Sequence, residues 1–586
     1  MSELPADTSS TPSEEEASYT YTEAPDAAQR ILVCVAWPYA RSSTHVGQIV
    51  GSFLPGDIVA RYHRLAGHEV LMVSGSDAHG TPITVDADRE GITPAELVAR
   101  FHAQIVETLA LLGISFDNYT ITTTDNHYRV TQEVFLRLLE HGYLFKDTME
   151  SPYCPTDRRY LPDRYVLGTC PYCGFNDARG DQCDNCGRTL DPTQLIEPRC
   201  RICGSVTSAI EIRETEHFFL DLPKLEPELL AWLSHDKEHW RPAVLNFALN
   251  WIKEGLRPRA ITRDLDWGVP IPLPGYDSKR IYVWFDAVIG YYSASIEWAA
   301  KRGEPDAWKK WWALGPNGEA PSRSYYFVGK DNIPFHAIIW PAMLMGYEGL
   351  TLPYDVPATE FMTMGGTKAS TSRGNVIWTR DVLDVYGADP LRYYLTSTMP
   401  EGRDTDFTYD ELVRRNNDEL VATYGNAAHR VLTFLHRNFG GEVPEPGPLS
   451  AADEAMLAEV DRGLAAAATA IEAIHLRDGL SEAMSVARAA NRYLDEQAPW
   501  KAIKQDRAAA ARTVYTMVQT LNALKMLFAP YLPFSSQRLH ELLGGEGLVT
   551  DCRWRADRVA PDTKLPVPTP LFAKFDPPVA PGLVGE

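Results

Sequence analysis

Ala36-Trp37-Pro38-Tyr39-Ala40-Arg41-Ser42-Ser43-Thr44-His45-Val46-Gly47-Gln48 lies between two runs of opposite character. The run before it, Ile31-Leu32-Val33-Cys34-Val35, is apolar and β-rich, and the run after it carries Ile49, Val50, Phe53 and Leu54 in a helix-like pattern. Strand, loop and helix start, in that order, predict one unit of a doubly wound α/β sheet. At such a junction the helix N-terminus offers unpaired N–H groups and the positive end of its dipole, which suits a phosphate-bearing ligand. Gly47 permits close approach of a ligand to the backbone, and His45 can donate to an anionic oxygen. Alone, the His-x-Gly pattern more often marks a packed turn than a ligand site.

Working outward, the chain of 586 residues exceeds one ordinary domain and predicts about three to four. Its 45% apolar content, with 14 Trp and 27 Tyr, supports large cores. No apolar run approaches the ~20 residues needed to span a bilayer, and acids stand where a secretory signal would carry basic residues. The expectation is a cytoplasmic protein with no membrane partner. A net charge of −22 excludes a generic polyanion binder and leaves room for a specific RNA held by shape and base contacts.

Residues 1–29 are acidic and poor in large aliphatics, which predicts a disordered tail. From Ile31 to Leu144 short β-rich runs alternate with longer helical ones. Val70-Leu71-Met72-Val73 is a strand ending in Ser74-Gly75-Ser76-Asp77-Ala78-His79-Gly80, and Thr93-Pro94-Ala95-Glu96 is an N-cap with Pro at the first helical position. Between 150 and 215, Pro, Gly, Asp and most of the nine cysteines crowd together, an inserted small domain. Alternation resumes near Arg263, with the β-rich runs Arg280 to Phe285 and Ser324 to Val328. After Asp406 the runs Tyr409 to Arg437, Ala451 to His475, Ser481 to Gln497 and Ala508 to Phe528 have helical spacing and predict a bundle. The Pro-rich tail from Val559, with Leu571-Phe572, reads as a strap packed back on it.

Cys170-x-x-Cys173 and Cys183-x-x-Cys186 are paired hooks, each followed by glycine. A Cys-x-x-Cys turn places two thiolates at once, so these four predict a structural Zn²⁺. Cys200 and Cys203 form a third hook, and Cys154 with Asp157 as the candidate fourth ligand would complete a second site. Disulfides are the alternative, and a cytoplasmic setting disfavours them.

A second Lys/Ser/Gly-rich loop, Lys368-Ala369-Ser370-Thr371-Ser372-Arg373-Gly374-Asn375, follows the β-like run Phe361 to Met364. Two phosphate-type loops on the halves of a split parallel sheet, a cysteine-rich insertion and a helix bundle together resemble a class I aminoacyl-tRNA synthetase. In detail the chain is similar to the methionyl-tRNA synthetase family over residues 31 to 575, including Leu161-Pro162-Asp163-Arg164, Trp284-Phe285-Asp286-Ala287 and Asp495 to Trp500.

That resemblance implies a Rossmann-like sheet split by a zinc-binding connective insertion and followed by an α-helical anticodon-binding bundle. The segments it implies are the tail 1–29, catalytic halves 30–145 and 256–350, the insertion 146–255, a stem-contact region 351–408, the anticodon domain 409–558 and a strap 559–586. It implies that Asp77 takes the methionine ammonium, as a carboxylate suits. Ala36, Trp37, Tyr39, Trp284, Ala287, Tyr291, His336 and Trp340 would line the side-chain pocket, where aromatic walls suit a thioether. His45, Gly47, Gln48, Gly329, Asp331, Met362, Lys368 and Thr371 would bind ATP. His45, Gln48, Lys368 and Thr371 would act in catalysis, with Arg263 a candidate phosphate clamp. Asn426, Arg430 and Trp500 would read the anticodon, offering base-edge donors and a stacking face.

The implied activity is methionine–tRNA ligation using ATP with Mg²⁺, L-methionine and tRNA(Met), by a monomer. The alternatives are a paralogue that adenylates an amino acid for a biosynthetic or resistance role, and a catalytically silent tRNA-binding paralogue. The chain departs from the family pattern in its two signature loops: Gln48 stands for His, Arg41-Ser42 for Asn-Gly, and Thr371 for the second Lys, with Ala369 also small. Exchanging a charged for a neutral hydrogen bond loses roughly 1–1.5 kcal/mol, about tenfold in rate. Attenuated or re-tuned adenylation is therefore expected.

Overall fold

The computed structural model describes residues 29–180, 183, 185–186, 188, 190–204, 210–368 and 376–577, without the side chains of residues 163, 367 and 368. Of the expectations above, the acidic tail and Thr371 lie outside the described residues.

Five strands form the central sheet: β1 (Arg30–Val35), β2 (Glu69–Ser76), β3 (Asn118–Ile121), β4 (Arg323–Gly329) and β5 (Ala358–Thr359). Their order is β5-β4-β1-β2-β3, every neighbour parallel. Ile31 through Val35 are fully buried because helices cover both faces, which is why this strand reads as a continuous apolar run. The order reverses at β1, whose neighbours β2 and β4 come from opposite sides of the insertion. Ligands of such sheets bind at that switch point, beyond the carboxyl ends of the strands.

Between β3 and β4 the chain runs through the long antiparallel pair Leu144–Cys154 and Glu211–Leu220, which carries the cysteine turns at its tip. The insertion has its own small core of Cys154, Leu161, Tyr165, Val166, Cys170, Cys183 and Cys200, joined by Val85 from the catalytic half. The bundle consists of Tyr409–Arg415, Asn416–Gly425 and Asn426–Phe439 in unbroken succession, then Ala451–Glu472, Leu476–Gln497 and Arg507–Phe528. Its core is continuous with one face of the sheet. Near the C-terminus Leu571 is buried and Phe572 lies against Tyr424 of the bundle. Among the described residues no helix is long and apolar enough to cross a membrane.

The structure corrects the strand expected over Arg280 to Phe285. Only Arg280–Ile281 forms a strand, paired with Thr262–Arg263 outside the main sheet, and a helix runs Val283–Lys301. This helix is buried on most of its faces, so its apolar run carries no helical period, and a short apolar run read in isolation cannot be told from a strand.

Candidate active site

His45 caps the helix that leaves β1. Its Nδ1 accepts the Gln48 N–H at 3.3 Å, while Gln48 Oε1 accepts the His45 N–H at 3.0 Å. Because Nδ1 accepts, the imidazole proton sits on Nε2, where it can be donated to an oxyanion. Burial holds the ring neutral, with its pKa lowered to about 4. A Cβ on Gly47 would stand 3.1 Å from that ring, so the imidazole can fold over only a glycine without displacement. Gln48, the departure from the family pattern, has a definite local role: its carbonyl closes the capping box and its amide N–H groups remain donors.

The helix continues as a π-helical stretch, Ile49–Phe53, before becoming regular at Leu54–Ala66. Two further π-helical stretches among the described residues are Phe335–Ile339, which carries His336, and Asn416–Gly425, which ends at Asn426. All three adjoin expected site residues. π-Bulges gather at functional sites and leave no signal in hydrophobic spacing, so sequence reading missed them.

The second loop meets the first. His45 forms a bridge with Trp378, Val46 N donates to Ile377 O at 3.0 Å, and Thr379 N donates to Thr44 O at 3.0 Å. Lys368 lies on the short strand Thr367–Lys368, paired with Met362–Met364, and Met362 is buried beneath Gly47, 3.8 Å from a Cβ built there. Gly329 ends β4 in register with Thr359, whose hydroxyl donates to Gly51 O at 2.8 Å, and open space lies over Gly329. Asp331 sits in the following 3₁₀ turn beside Lys330, which is ion-paired to Glu360 and Asp404. His45, Gly47, Gln48, Gly329, Asp331 and Met362 are thus gathered at the switch point. Arg263 lies apart on the outer hairpin, donating to the carbonyls of Ala260 and Thr262 and stacked 3.8 Å over Tyr282.

Beside this stands an aromatic pocket. Trp37 is 6.5 Å from Tyr291 edge to face, Tyr39 meets Trp284 at 6.4 Å, and Trp284 stacks on Phe335 at 4.0 Å. Trp37 rests where only glycine fits: a Cβ on Gly75 or Gly290 would fall 2.4 or 2.7 Å from its ring. His336 donates from Nδ1 to Asn332 O at 2.9 Å, so its Nε2 accepts the Tyr291 hydroxyl at 2.7 Å. Trp340 is fully buried and donates to the Tyr326 hydroxyl at 3.1 Å, a position behind the pocket wall. Ala36 and Ala287 are partly exposed.

The pocket floor carries two buried carboxyls. Asp77 bridges Tyr39 through the backbone, and burial together with the charge of Asp286 pushes its carboxyl well above the usual range. Asp286 is raised likewise by burial; its Oδ2 lies 2.6 Å from His79 Nδ1 and its Oδ1 has no partner. Two buried carboxyls with an unsatisfied oxygen and only a neutral imidazole between them are a site that an ammonium would complete. His79 and Asp286 were not assigned from sequence, although Asp286 adjoins Ala287 in the quoted Trp-Phe-Asp-Ala run.

On the bundle, Asn426 and Arg430 lie one turn apart on the same helix face. Arg430 stacks 4.8 Å over Trp500 and donates to Asp495 at 2.7 Å. Trp500 is 37% exposed, so its ring face is open to solvent and not part of the core.

Both cysteine groups fit a metal. Sγ atoms of Cys170 and Cys186 are 3.9 Å apart and those of Cys173 and Cys183 are 3.6 Å apart. The edge of a tetrahedron with ~2.3 Å Zn–S bonds is about 3.8 Å, far longer than a disulfide. In the second group Cys154 and Cys203 are 3.6 Å apart and Cys200 Sγ lies 2.9 Å from Asp157 Oδ2. In each group all ligand atoms fall within 4.8 Å of one another, so both can hold Zn²⁺.

Comparison with known proteins gives two family matches. Residues 31–432 match tRNA synthetases class I (M), and residues 443–578 match the anticodon binding domain of methionyl tRNA ligase. A methionine–tRNA ligase of Roseiflexus castenholzii is 54% identical over 93% of this chain and 96% of its own length. One from Thermomicrobium roseum is 51% identical over 94% and 97%. Among solved structures, Mycobacterium tuberculosis methionyl-tRNA synthetase bound by methionyl-adenylate superposes with a TM-score of 0.76 at 26% identity, covering 93% of this chain and all of that one.

Proposed function

The chain belongs to the class I tRNA synthetases (M), and from that premise we infer that it is a methionine–tRNA ligase, forming methionyl-adenylate from methionine and ATP and transferring the methionyl group to tRNA(Met). The observation that carries the assignment of roles is the pairing at the switch point of a buried two-carboxyl pocket with a neutral, Nε2-protonated histidine at a helix start.

In this reading Asp77 and Asp286 hold the methionine ammonium, and Trp37, Tyr39, Trp284, Tyr291 and His336 enclose the thioether with Ala36 and Ala287 at the mouth. The methionine carboxylate oxygen attacks the α-phosphorus of ATP, forming an acyl–phosphate bond as the bond to pyrophosphate breaks. His45 Nε2–H, the Gln48 amide and Lys368 neutralise the charge gathering on the leaving group, and Mg²⁺ bound with ATP would add to that neutralisation. Gly329, Asp331, Gly47 and Met362 seat the nucleoside. A terminal ribose hydroxyl of the tRNA then attacks the acyl carbon and AMP departs. No protein nucleophile is needed, because the rate comes from positioning and charge stabilisation. Asn426, Arg430 and Trp500 take the anticodon, and Zn²⁺, which the two cysteine groups would hold, would brace the insertion.

The deciding experiment measures methionine-dependent ATP–pyrophosphate exchange and then charging of a CAU-anticodon tRNA. Both are expected. Exchange without charging would assign the chain to an adenylating paralogue, and silence in both would make it a tRNA-binding protein without chemistry.

A further inference from the structure

The two carboxyls of the pocket floor come from different halves of the sheet and are joined by one residue. Asp77 follows β2, Asp286 lies in the first turn of the helix Val283–Lys301, and both are buried. His79 touches each of them: its backbone N–H donates to Asp77 Oδ1 at 2.9 Å, and its Nδ1 lies 2.6 Å from Asp286 Oδ2. On the other side of the ring, Nε2 lies 3.3 Å from the Tyr128 hydroxyl. The imidazole is buried, whereas Tyr128 is partly exposed on the helix Asp125–Glu140, where the charges of Asp125 and Arg280 reach its phenol with opposite signs. A continuous hydrogen-bonded chain therefore runs from a buried carboxyl to a partly exposed phenol.

The charge this floor can carry depends on what enters it. Two carboxyls buried together cannot both stay ionised without a cation, so the pair keeps a proton until one arrives. Burial raises both groups accordingly, and the charge of Asp286 raises Asp77 further. An ammonium then favours the doubly ionised pair, and the displaced proton has to leave. Neither of the other polar rings beside His79 offers an exit. Ser293 gives its hydroxyl proton to Gly290 O at 3.1 Å, so His127 donates from Nδ1 to Ser293 Oγ at 2.8 Å and takes the Thr131 hydroxyl on Nε2 at 3.3 Å. Trp267 meets His79 edge to face at 6.0 Å and donates its N–H to Ala78 O at 2.6 Å.

We propose that methionine binding expels one proton from the Asp77–Asp286 pair, and that His79 and Tyr128 conduct it to solvent. The identity of the ammonium rests on the ligase reading above. As it arrives, the Asp286 Oδ2–H bond breaks and a bond forms to His79 Nδ1. The Nε2 proton of the same ring passes to the Tyr128 oxygen, and Tyr128 releases its own hydroxyl proton to water. Both relay groups are neutral before and after, and no electrons are gained or lost. The carboxylate left on Asp286 pairs with the ammonium, which also supplies the partner that its Oδ1 otherwise lacks. Methionine entry is thereby tied to proton exit along a route separate from the nucleotide groups around His45.

The test uses the full-length protein with methionine alone, which separates binding from chemistry. Calorimetric titration in two buffers of different ionisation enthalpy should show between about half and one proton released per methionine at about pH 6, and fewer as the pH rises. Stopped-flow tryptophan fluorescence then compares the wild type with Tyr128→Phe. The variant should release the same number of protons and keep its dissociation constant within about threefold, because the phenol bond it lacks exists with and without methionine. Its association with methionine should be slowed about tenfold or more at about pH 6 and recover in alkali, since without the relay only the fraction already deprotonated can bind. Absence of proton release at every pH overturns the proposal, and so does wild-type association by Tyr128→Phe at about pH 6. A slowing that is equal at every pH also overturns it and marks the phenol as packing. Proton-releasing methionine binding without ATP–pyrophosphate exchange would remove the ligase reading and leave the relay standing, whereas absence of methionine binding would remove both.

Discussion

The backbone N–H of Val46 donates to the carbonyl of Ile377 at 3.0 Å, and the N–H of Thr379 donates to the carbonyl of Thr44 at the same distance. Val46 opens the helix behind the first loop, and Ile377 follows the second. Two loops far apart in sequence are therefore held as one ladder, and a group on either can act on the same nucleotide.

Thr379→Pro removes the N–H of one rung while keeping a backbone shape that this position already has. Thr379 is the first residue of the helix Thr379–Tyr386, where proline is tolerated, and Trp378 before it is already extended. The variant should keep its melting temperature within about 2 °C and lose up to about tenfold in exchange rate, as expected for one hydrogen bond. Unchanged exchange would show that the ladder does not position the second loop.

Asp286→Asn should raise KM for methionine by about tenfold or more in exchange, with KM for ATP unaffected, because it removes half the negative charge facing the ammonium. Since both carboxyls are raised by burial, wild-type methionine binding should weaken on acidification at a higher pH than an ordinary carboxylate would give. Equal rises in both KM values would place Asp286 outside the amino-acid pocket.

Metal analysis of the purified protein should find two zinc ions per chain. Cys173→Ser and Cys203→Ser should each leave one, since they belong to different groups. Removal of both ions with a chelator should unfold the insertion, read as new proteolytic cleavage between residues 154 and 204, because its core is built from the cysteine turns themselves.

Trp500→Ala should raise KM for tRNA by between about fivefold and a hundredfold, the range of one lost base stack, while exchange stays at the wild-type level. Loss of both activities would contradict an anticodon role for the exposed Arg430–Trp500 stack.

His79, His127 and His336 are buried and neutral, with pKa values lowered by burial to about 3, 3 and 4. In the unfolded chain they titrate near 6.5, so below that pH the unfolded state binds more protons and gains stability. Thermal stability should fall as pH drops from about 6.5 to 4, with each such histidine contributing up to about 1.4 kcal/mol per pH unit. His127→Gln should flatten the slope; an unaltered slope would mean that this ring is not held neutral.

The chain's pattern alone determined the strand–loop–helix opening, the interrupted alternation, the bundle and the first cysteine set, because each is written in local spacing: alternation, helical period, Cys-x-x-Cys. Several candidate site residues could be named for the same reason, since His45, Asp77 and Asn426 sit in short runs that resemble one family. Only the tertiary structure decided the rest. Val283 to Phe285 reads as a strand but is a helix, because burial on most faces erases the period that would distinguish the two. Asp286 faces Asp77 and Ile377 meets Val46 across intervals that no local pattern spans. Their energies come from desolvation and charge, which exist only once the chain has folded around them.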